Sequence, residues 1–411
     1  MKKRLFVVAI VAFLLGVAFL WGYLAHRFEF FPHSLMDRVV YAVRDFNPST
    51  ERPVKPQTPD VDPLKALPYV DATFDPNHEK KGVTVHDADR SFPGFNFYTS
   101  EAESKTFLLT MRGTVRHEWS YKGHPEHATL LPDGSILISI MDEGIRKISR
   151  DSELLWSFDC PAHHDLAVDD EGKIFAMVRR PRLIPQLHAT QNVFDDGLVV
   201  LSPDGEELEW ISLVDILLDS PYAGMIPVTG HLEFGKLDRR TLDIVHSNHV
   251  SIFDGSLAEQ SEIFKKGNLL ISFAMLNALV IFDPENREAV WWWGPNNVVN
   301  VHHPTLLENG KILFFNNGAE ASRILEVDPL THQITWSFEE EGFFSFGRGS
   351  VQRLPNGNTL ITESNTGYVF EVTPDGERVW EFANPNVSAD GERGIIWRMS
   401  RFAPEELAFL N

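Results

Sequence analysis

Four segments of the chain carry histidine just ahead of a glycine turn. They read HPEHATLLPDG, PAHHDLAVDDEG, VHSNHVSIFDG and NVHHPTLLENG, and a fifth, GRGSVQRLPNG, carries serine instead. Counting seven residues back from the turn glycine gives His127, His303 and Ser350. His164 lies eight back, and the remaining segment offers His246 and His249. Histidine in such a register acts as a nucleophile, a general base or a metal ligand. The plain alternative is a ring that caps the start of a strand. No HExxH, CxxC or EF-hand spacing is present, so no metal is assigned, although histidines from separate segments leave that open. The GxSxG elbow, Walker A loop and dinucleotide fingerprint are also missing. Phosphoryl transfer from ATP and hydride transfer from NAD(P) are set aside, and no cofactor is expected. Arg323, Arg348, Arg398 and Arg401 stand near the same segments, and guanidinium beside histidine suits an oxyanion such as sulfate.

These side chains must be positioned by a repeating element. Six apolar hairpins end in tryptophan, at Trp119, Trp156, Trp210, Trp291 to Trp293, Trp336 and Trp380. Each turns through Gly, Asp or Asn between β-rich runs. A second kind of hairpin turns at Gly134, Gly172, Gly267, Gly310 and Gly357, with spacings of 38, 95, 43 and 47 residues. Two hairpins per period of about 45 residues make four strands, the unit of a propeller blade. The expected fold is all-β: a six-bladed β-propeller over residues 85–411, preceded by an N-terminal transmembrane helix and a Pro-rich linker. A β-sandwich is the weaker alternative, because it would not repeat tryptophan at one place in every unit. The 95-residue gap holds either two periods or one period with an insertion around residues 215–262. In a propeller, residues just before each inner strand meet at the channel mouth, which is where the histidines fall.

Composition and the N-terminus bound the rest. The chain has 411 residues, one cysteine (Cys160) and a formal charge of −21. That charge argues against nucleic acid as a partner, and one cysteine excludes an intrachain disulfide or a cysteine metal cluster. Residues 5–25 are uncharged and follow Lys2, Lys3 and Arg4. This run is long enough to cross a bilayer, and its flanks favour a cytoplasmic N-terminus. We expect residues 1–27 to be an uncleaved signal anchor, with a cleaved signal peptide as the alternative. Residues 28–84 are expected to hold a juxtamembrane helix and a linker, which is either a spacer or an arm strapped across the propeller. The bulk of the chain would then lie outside the cytoplasm, on the periplasmic side of a bacterial inner membrane. Oligomeric state is not legible.

The ordered run HSNHVSIF…GNLLIS…ALVIFDPENREAVWWWG…VHHPTLLENGKILFFNNGAEASR…GSVQRLPNGNTLI…YVFEVTPDGERVWEF resembles the arylsulfotransferase (aryl-sulfate sulfotransferase) family, across about residues 100–405. The resemblance implies a six-bladed periplasmic propeller. It implies transfer of a sulfuryl group from an aryl sulfate donor to a phenolic acceptor, without a nucleotide donor, through a transiently sulfated histidine. His303 matches the family's nucleophile, with His302 where the family has Gln. His246-Ser247-Asn248 matches an HxN segment, and His164 matches a further channel histidine. Asn317-Gly318 and Ser322-Arg323 match the residues after the nucleophile's hairpin. On this reading His303 is catalytic, and His164, His246, His249, His127, Arg323, Arg348 and Asn317 bind substrate. Two departures stand out: Ala274 where the family often has Arg, and Pro304 after the nucleophile. They keep open a catalytically silent, membrane-anchored binding propeller. A metal-dependent hydrolase and a quinone-dependent dehydrogenase are the other rivals. The second is disfavoured because such enzymes generally have eight blades.

Overall fold

The computed structural model describes residues 72–226, 241–295 and 297–410. The expected span at 5–25, the juxtamembrane helix and most of the linker lie outside these residues. Among the described residues, no helix is long and apolar enough to cross a membrane.

Six antiparallel sheets form the six blades. Blade 2 runs through Pro125–Leu130, Ile136–Ile140, Gly144–Ile148 and Leu154–Asp159. Blades 3 to 6 repeat that order, with inner strands Ala162–Val168, Ser247–Ile252, Val301–Leu306 and Ser350–Arg353. Blade 1 takes its three outer strands from Phe95–Ser100, Lys105–Thr110 and Val115–Ser120, and its inner strand Met399–Phe402 from the C-terminus. The last strand therefore pairs with the first blade and closes the ring. Each glycine-turn hairpin of the sequence is the inner half of a blade, and each tryptophan hairpin the outer half.

Closure buries both faces of every sheet, which explains why strands such as ILISI, LLISF and ILFFN are apolar throughout rather than alternating. Each of the six blade interfaces has its own apolar cluster. Between blades 4 and 5, for example, Leu279, Ile281 and Trp293 pack against Val301, Phe314 and Leu325. The repeated tryptophan fastens one blade to the next. Trp119 Nε1 donates to the Gly134 carbonyl at 3.0 Å, Trp291 to Pro329 at 2.8 Å and Trp380 to Met111 at 2.9 Å. Trp156 and Trp336 make the same kind of bond, to Pro203 at 3.2 Å and Pro374 at 3.4 Å.

The 95-residue gap is one period with an insertion. After the outer strand of blade 3, helix α1 (Leu213–Asp219) begins at Ser212, whose hydroxyl accepts the Asp215 amide at 3.0 Å. A short strand, Thr241–Leu242, then pairs in parallel with Asn192–Val193.

The propeller also starts earlier than residue 85. Gly82–His86 adds a fifth strand to blade 6, and Ala72–Phe74 pairs with Glu392–Gly394. Arg393, fully buried, fastens that arm through Asp75 at 2.7 and 2.8 Å. Within residues 72–86 the chain is thus strapped to the propeller and is not a spacer.

Candidate functional site

The inner strands carry irregularities where the histidines sit. Register shifts interrupt pairing at Pro125/His127, Ala162/Leu166, Ser247/His249 and His302/Thr305. His164, His246 and His303 adopt φ of 62°, 50° and 49°, a left-handed backbone that is uncommon outside glycine. A bulge of this kind re-aims side chains, and left-handed backbone recurs at the bulges that hold His164 and His303, while His246, just before its strand, takes the place that Asn300 (φ 55°) holds in blade 5.

The strands converge on a cavity of ≈ 30 Å³ bordered by Glu126, His127, His164, Asp165, Asn248, His302, His303, Arg348, Gly349, Trp397 and Arg398. A larger cleft of ≈ 580 Å³ lies between the turns of blades 3 and 4, where Lys265 and Lys266 are already paired with acidic side chains.

Around the cavity the ionisable groups sort into two clusters. In the first, the buried Asp165 carboxylate is the hub. It accepts from Arg398 Nη2 at 2.8 Å and from His249 Nδ1. Arg398 also donates through Nη1 to His127 Nε2 at 3.1 Å. The His303 ring lies against His249, centroids 4.4 Å apart, and His303 Nδ1 receives the Val351 amide at 3.4 Å. Burial alone would push Asp165 up, but Arg398, His127 and His249 hold it well below the usual carboxylate range. Burial, and then Arg398, hold His127 down to about 3. The same two causes, with His249 as a third, push His303 well below its ordinary value. These histidines are neutral, and the cluster's fixed charges are Asp165 and Arg398.

In the second cluster His164 Nε2 and His246 Nε2 stand 3.1 Å apart. His246 Nδ1 donates to Asp243 at 2.6 Å, and His164 Nδ1 lies 3.4 Å from Glu126 Oε1. His163 packs on His164 with centroids 3.9 Å apart. Burial lowers His246, but Asp243 outweighs it and the net shift is upward. Burial pushes Glu126 up to about 7, against the His164 amide that donates to it at 2.6 Å. His163 and His164 are pushed well down by burial and by neighbouring positive groups.

The residues singled out in the sequence are distributed as follows. His127, His164, His303 and Arg348 border the cavity, His249 backs His303, and His246 backs His164. Asn317 is buried one layer behind. Its Oδ1 accepts from His302 Nδ1 at 2.7 Å, and its Nδ2 donates to the Ser345 and Arg348 carbonyls at 2.6 and 2.7 Å. Asn317 therefore positions His302 and the Arg348 loop and does not border the cavity. Arg323 is a correction. It opens the third strand of blade 5, half-exposed, 3.6 Å from Glu339, and does not border the cavity. Its equivalent cation is Arg398, at the entry to the closing strand. Arg401, three residues on, points into the core to Glu371 and Asn96 instead. In the loop before Arg348, Phe343 is core and Phe346 is 69% exposed.

Asp165, Glu126, His163, His302, Asp243 and Trp397 were missed. Asp165 follows His164 directly, and Asp243 precedes His246 by three, but neither spacing is a motif by itself. The departure at 274 falls beside the second cluster, since the Ala274 amide donates to the His246 carbonyl at 2.9 Å.

A search of curated proteins finds no match. Among solved structures, a protein of unknown function from Bacteroides caccae is similar at 16% identity and a TM-score of 0.52, covering 76% of this chain and 99% of its own. That likeness concerns the fold alone. A protein of unknown function from Desulfotomaculum acetoxidans matches at 10% identity and a TM-score of 0.45, over 76% of this chain and 99% of its own. Virginiamycin B lyase from Staphylococcus aureus matches at 12% and 0.40, over 68% and 84%. The model of the Arylsulfotransferase (ASST) family matches residues 127–385, from the first channel histidine to the end of blade 6 and over more than half the chain. The chain belongs to the arylsulfotransferase family.

Proposed function

We propose that the propeller transfers a sulfuryl group from an aryl sulfate to a phenol, with His303 as the transient carrier. One observation carries this reading: two guanidinium groups, Arg348 and Arg398, and neutral histidines border one small cavity in a chain whose formal charge is −21. Arg398 is fixed by His127 and Asp165, and Arg348 is stacked 4.1 Å above the Trp397 ring. Held in place before substrate arrives, they match the paired oxygens of a sulfuryl group and the charge that develops during transfer.

The hydrogen bonds assign protons. The Val351 amide points at His303 Nδ1, so the resting neutral ring carries its proton on Nε2. His249 is the adjacent base. Its Nδ1–H is committed to Asp165, and its Nε2 makes no hydrogen bond of normal geometry. Burial holds His249 below its ordinary value, with Asp165 and the Pro304 carbonyl acting the other way, so it rests as a free base. His249 first takes the proton from His303 Nε2, and the lone pair so freed bonds to sulfur as the S–O bond to the aryl group breaks. The His249 proton then goes to the departing phenolate. The second half runs in reverse: His249 takes the acceptor phenol's proton, the phenolate attacks sulfur, and His303 recovers a proton from His249. The exposed Phe346 ring, two residues before Arg348, offers the aryl group a surface above the cavity.

Initial rates measured with donor and acceptor varied together test the scheme. A covalent carrier gives parallel double-reciprocal lines, whereas intersecting lines would exclude it. A second reading, a silent sulfate-binding propeller, draws on Ala274, which stands beside His246 where the family often has Arg. It predicts sulfate binding without turnover for any donor and acceptor pair. The proposal places the propeller outside the cytoplasm, on the strength of the uncharged run at 5–25.

A further inference from the structure

We infer that His163, His164 and His246 form a binding site for one divalent late transition ion, with zinc the best fit. One ring nitrogen from each lies within 4.8 Å of the others. Tetrahedral zinc with imidazole at 2.0–2.1 Å separates its nitrogens by about 3.3 Å. The His164–His246 pair, at 3.1 Å, already has that spacing, and the third nitrogen needs to close by at most about 1.5 Å.

Two further observations point the same way. First, both close nitrogens are Nε2, and each ring's Nδ1 faces a buried carboxylate: Asp243 at 2.6 Å for His246 and Glu126 at 3.4 Å for His164. A carboxylate behind each histidine is the arrangement that fixes the tautomer and aims the other nitrogen at a metal. Second, His163 is 1% exposed, yet neither of its ring nitrogens has a hydrogen-bond partner among the described residues. Leaving such a group unpaired is costly, and coordination would satisfy it.

Charges of both signs surround the site. Arg179 and Arg348 oppose a cation here, and Arg179 is itself paired with Asp142 at 3.6 Å. Asp243 and Asp196 act on His246 from the other side. Three imidazoles without thiolate select zinc, copper, nickel or cobalt over magnesium or calcium. His164 borders the cavity, so an ion on it would have a remaining position for water or an oxyanion. None of this depends on sulfuryl transfer through His303.

Cobalt(II) titration of the metal-stripped full-length protein tests the site, read as visible ligand-field absorption and competed with zinc. Wild type should take one ion per chain with a tetrahedral spectrum. His163→Ala should lose stoichiometric binding, and Asp243→Asn should weaken it 10–100-fold. His303→Ala, in the other cluster, should bind as wild type does. The site is overturned if wild type binds no stoichiometric cobalt or zinc, or if His163→Ala binds as wild type. Where His163→Ala does not fold by circular dichroism, Asp243→Asn decides, and unchanged affinity there counts against the site. Because the readout is absorption, loss of sulfuryl transfer and loss of metal are seen separately.

Discussion

Two histidine clusters share one cavity but are built on opposite electrostatic plans. His164 and Asp165 are consecutive residues, yet the first joins one cluster and the second anchors the other. The bulge and the positive φ at His164 make that divergence possible, since a regular strand would send alternate residues into the channel and into the sheet interface. Around Asp165 the charges are a fixed carboxylate and a fixed guanidinium, and the histidines are neutral. Around His164 the carboxylates sit behind the rings, and His246 is the group whose affinity for protons is raised. On the proposed reading, the first plan provides a nucleophile, a base and an oxyanion clamp. The second provides converging lone pairs backed by negative charge. Histidine identity decides neither role; what lies behind each Nδ1 does.

The comparison is broken most severely at its hub. Asp165→Asn should lower transfer by roughly 10⁴-fold, because it removes what fixes the His249 tautomer and steadies Arg398. Steady-state rates on a folded variant measure it. Arg398→Ala should cost about 10²–10³-fold in kcat. Arg398→Lys should recover only a small part, because an ammonium cannot span His127 and Asp165 as the guanidinium does.

The clusters should also differ in how pH acts on stability. His127 is lowered to about 3 and His303 well below 6.5, so across that interval the unfolded chain binds more protons than the folded one. Their contribution to stability therefore rises with pH up to about 6.5. His246 runs the other way in metal-free protein. Its folded pKa is raised, so its pairing with Asp243 stabilises fully below 6.5 and fades as pH climbs through the raised value. Urea midpoints against pH should thus rise on the acid side, and Asp243→Asn should flatten the alkaline decline. The smallest effect is at the mouth. Phe346→Ala should raise KM for aryl sulfates roughly two- to tenfold with little change in kcat.

The fold was legible because a closed ring imposes one requirement on every blade. The tryptophans recur since in five of the six blades they fasten the blade to the next, and the glycines recur since each turn needs a positive φ, as at Gly134 and Gly310. The histidine register was legible for the same reason. The partners were not. Asp165 reaches His249 across 84 positions and Arg398 across 233, and no local spacing encodes such contacts. Arg323 misled because it follows the right hairpin, yet a third strand lies too far from the axis to reach the channel. Arg398 comes from the C-terminus, and its place became visible only when the last strand closed blade 1.

The most direct measurement is intact mass, followed by peptide mapping, of the full-length protein mixed with an aryl sulfate and no acceptor. A gain of one sulfuryl group on wild type, mapped to His303 and absent from His303→Ala, is the predicted result. A group mapped to His163, His164 or His246 would place the chemistry in the wrong cluster. No adduct with any of a panel of aryl sulfates would contradict a covalent carrier altogether.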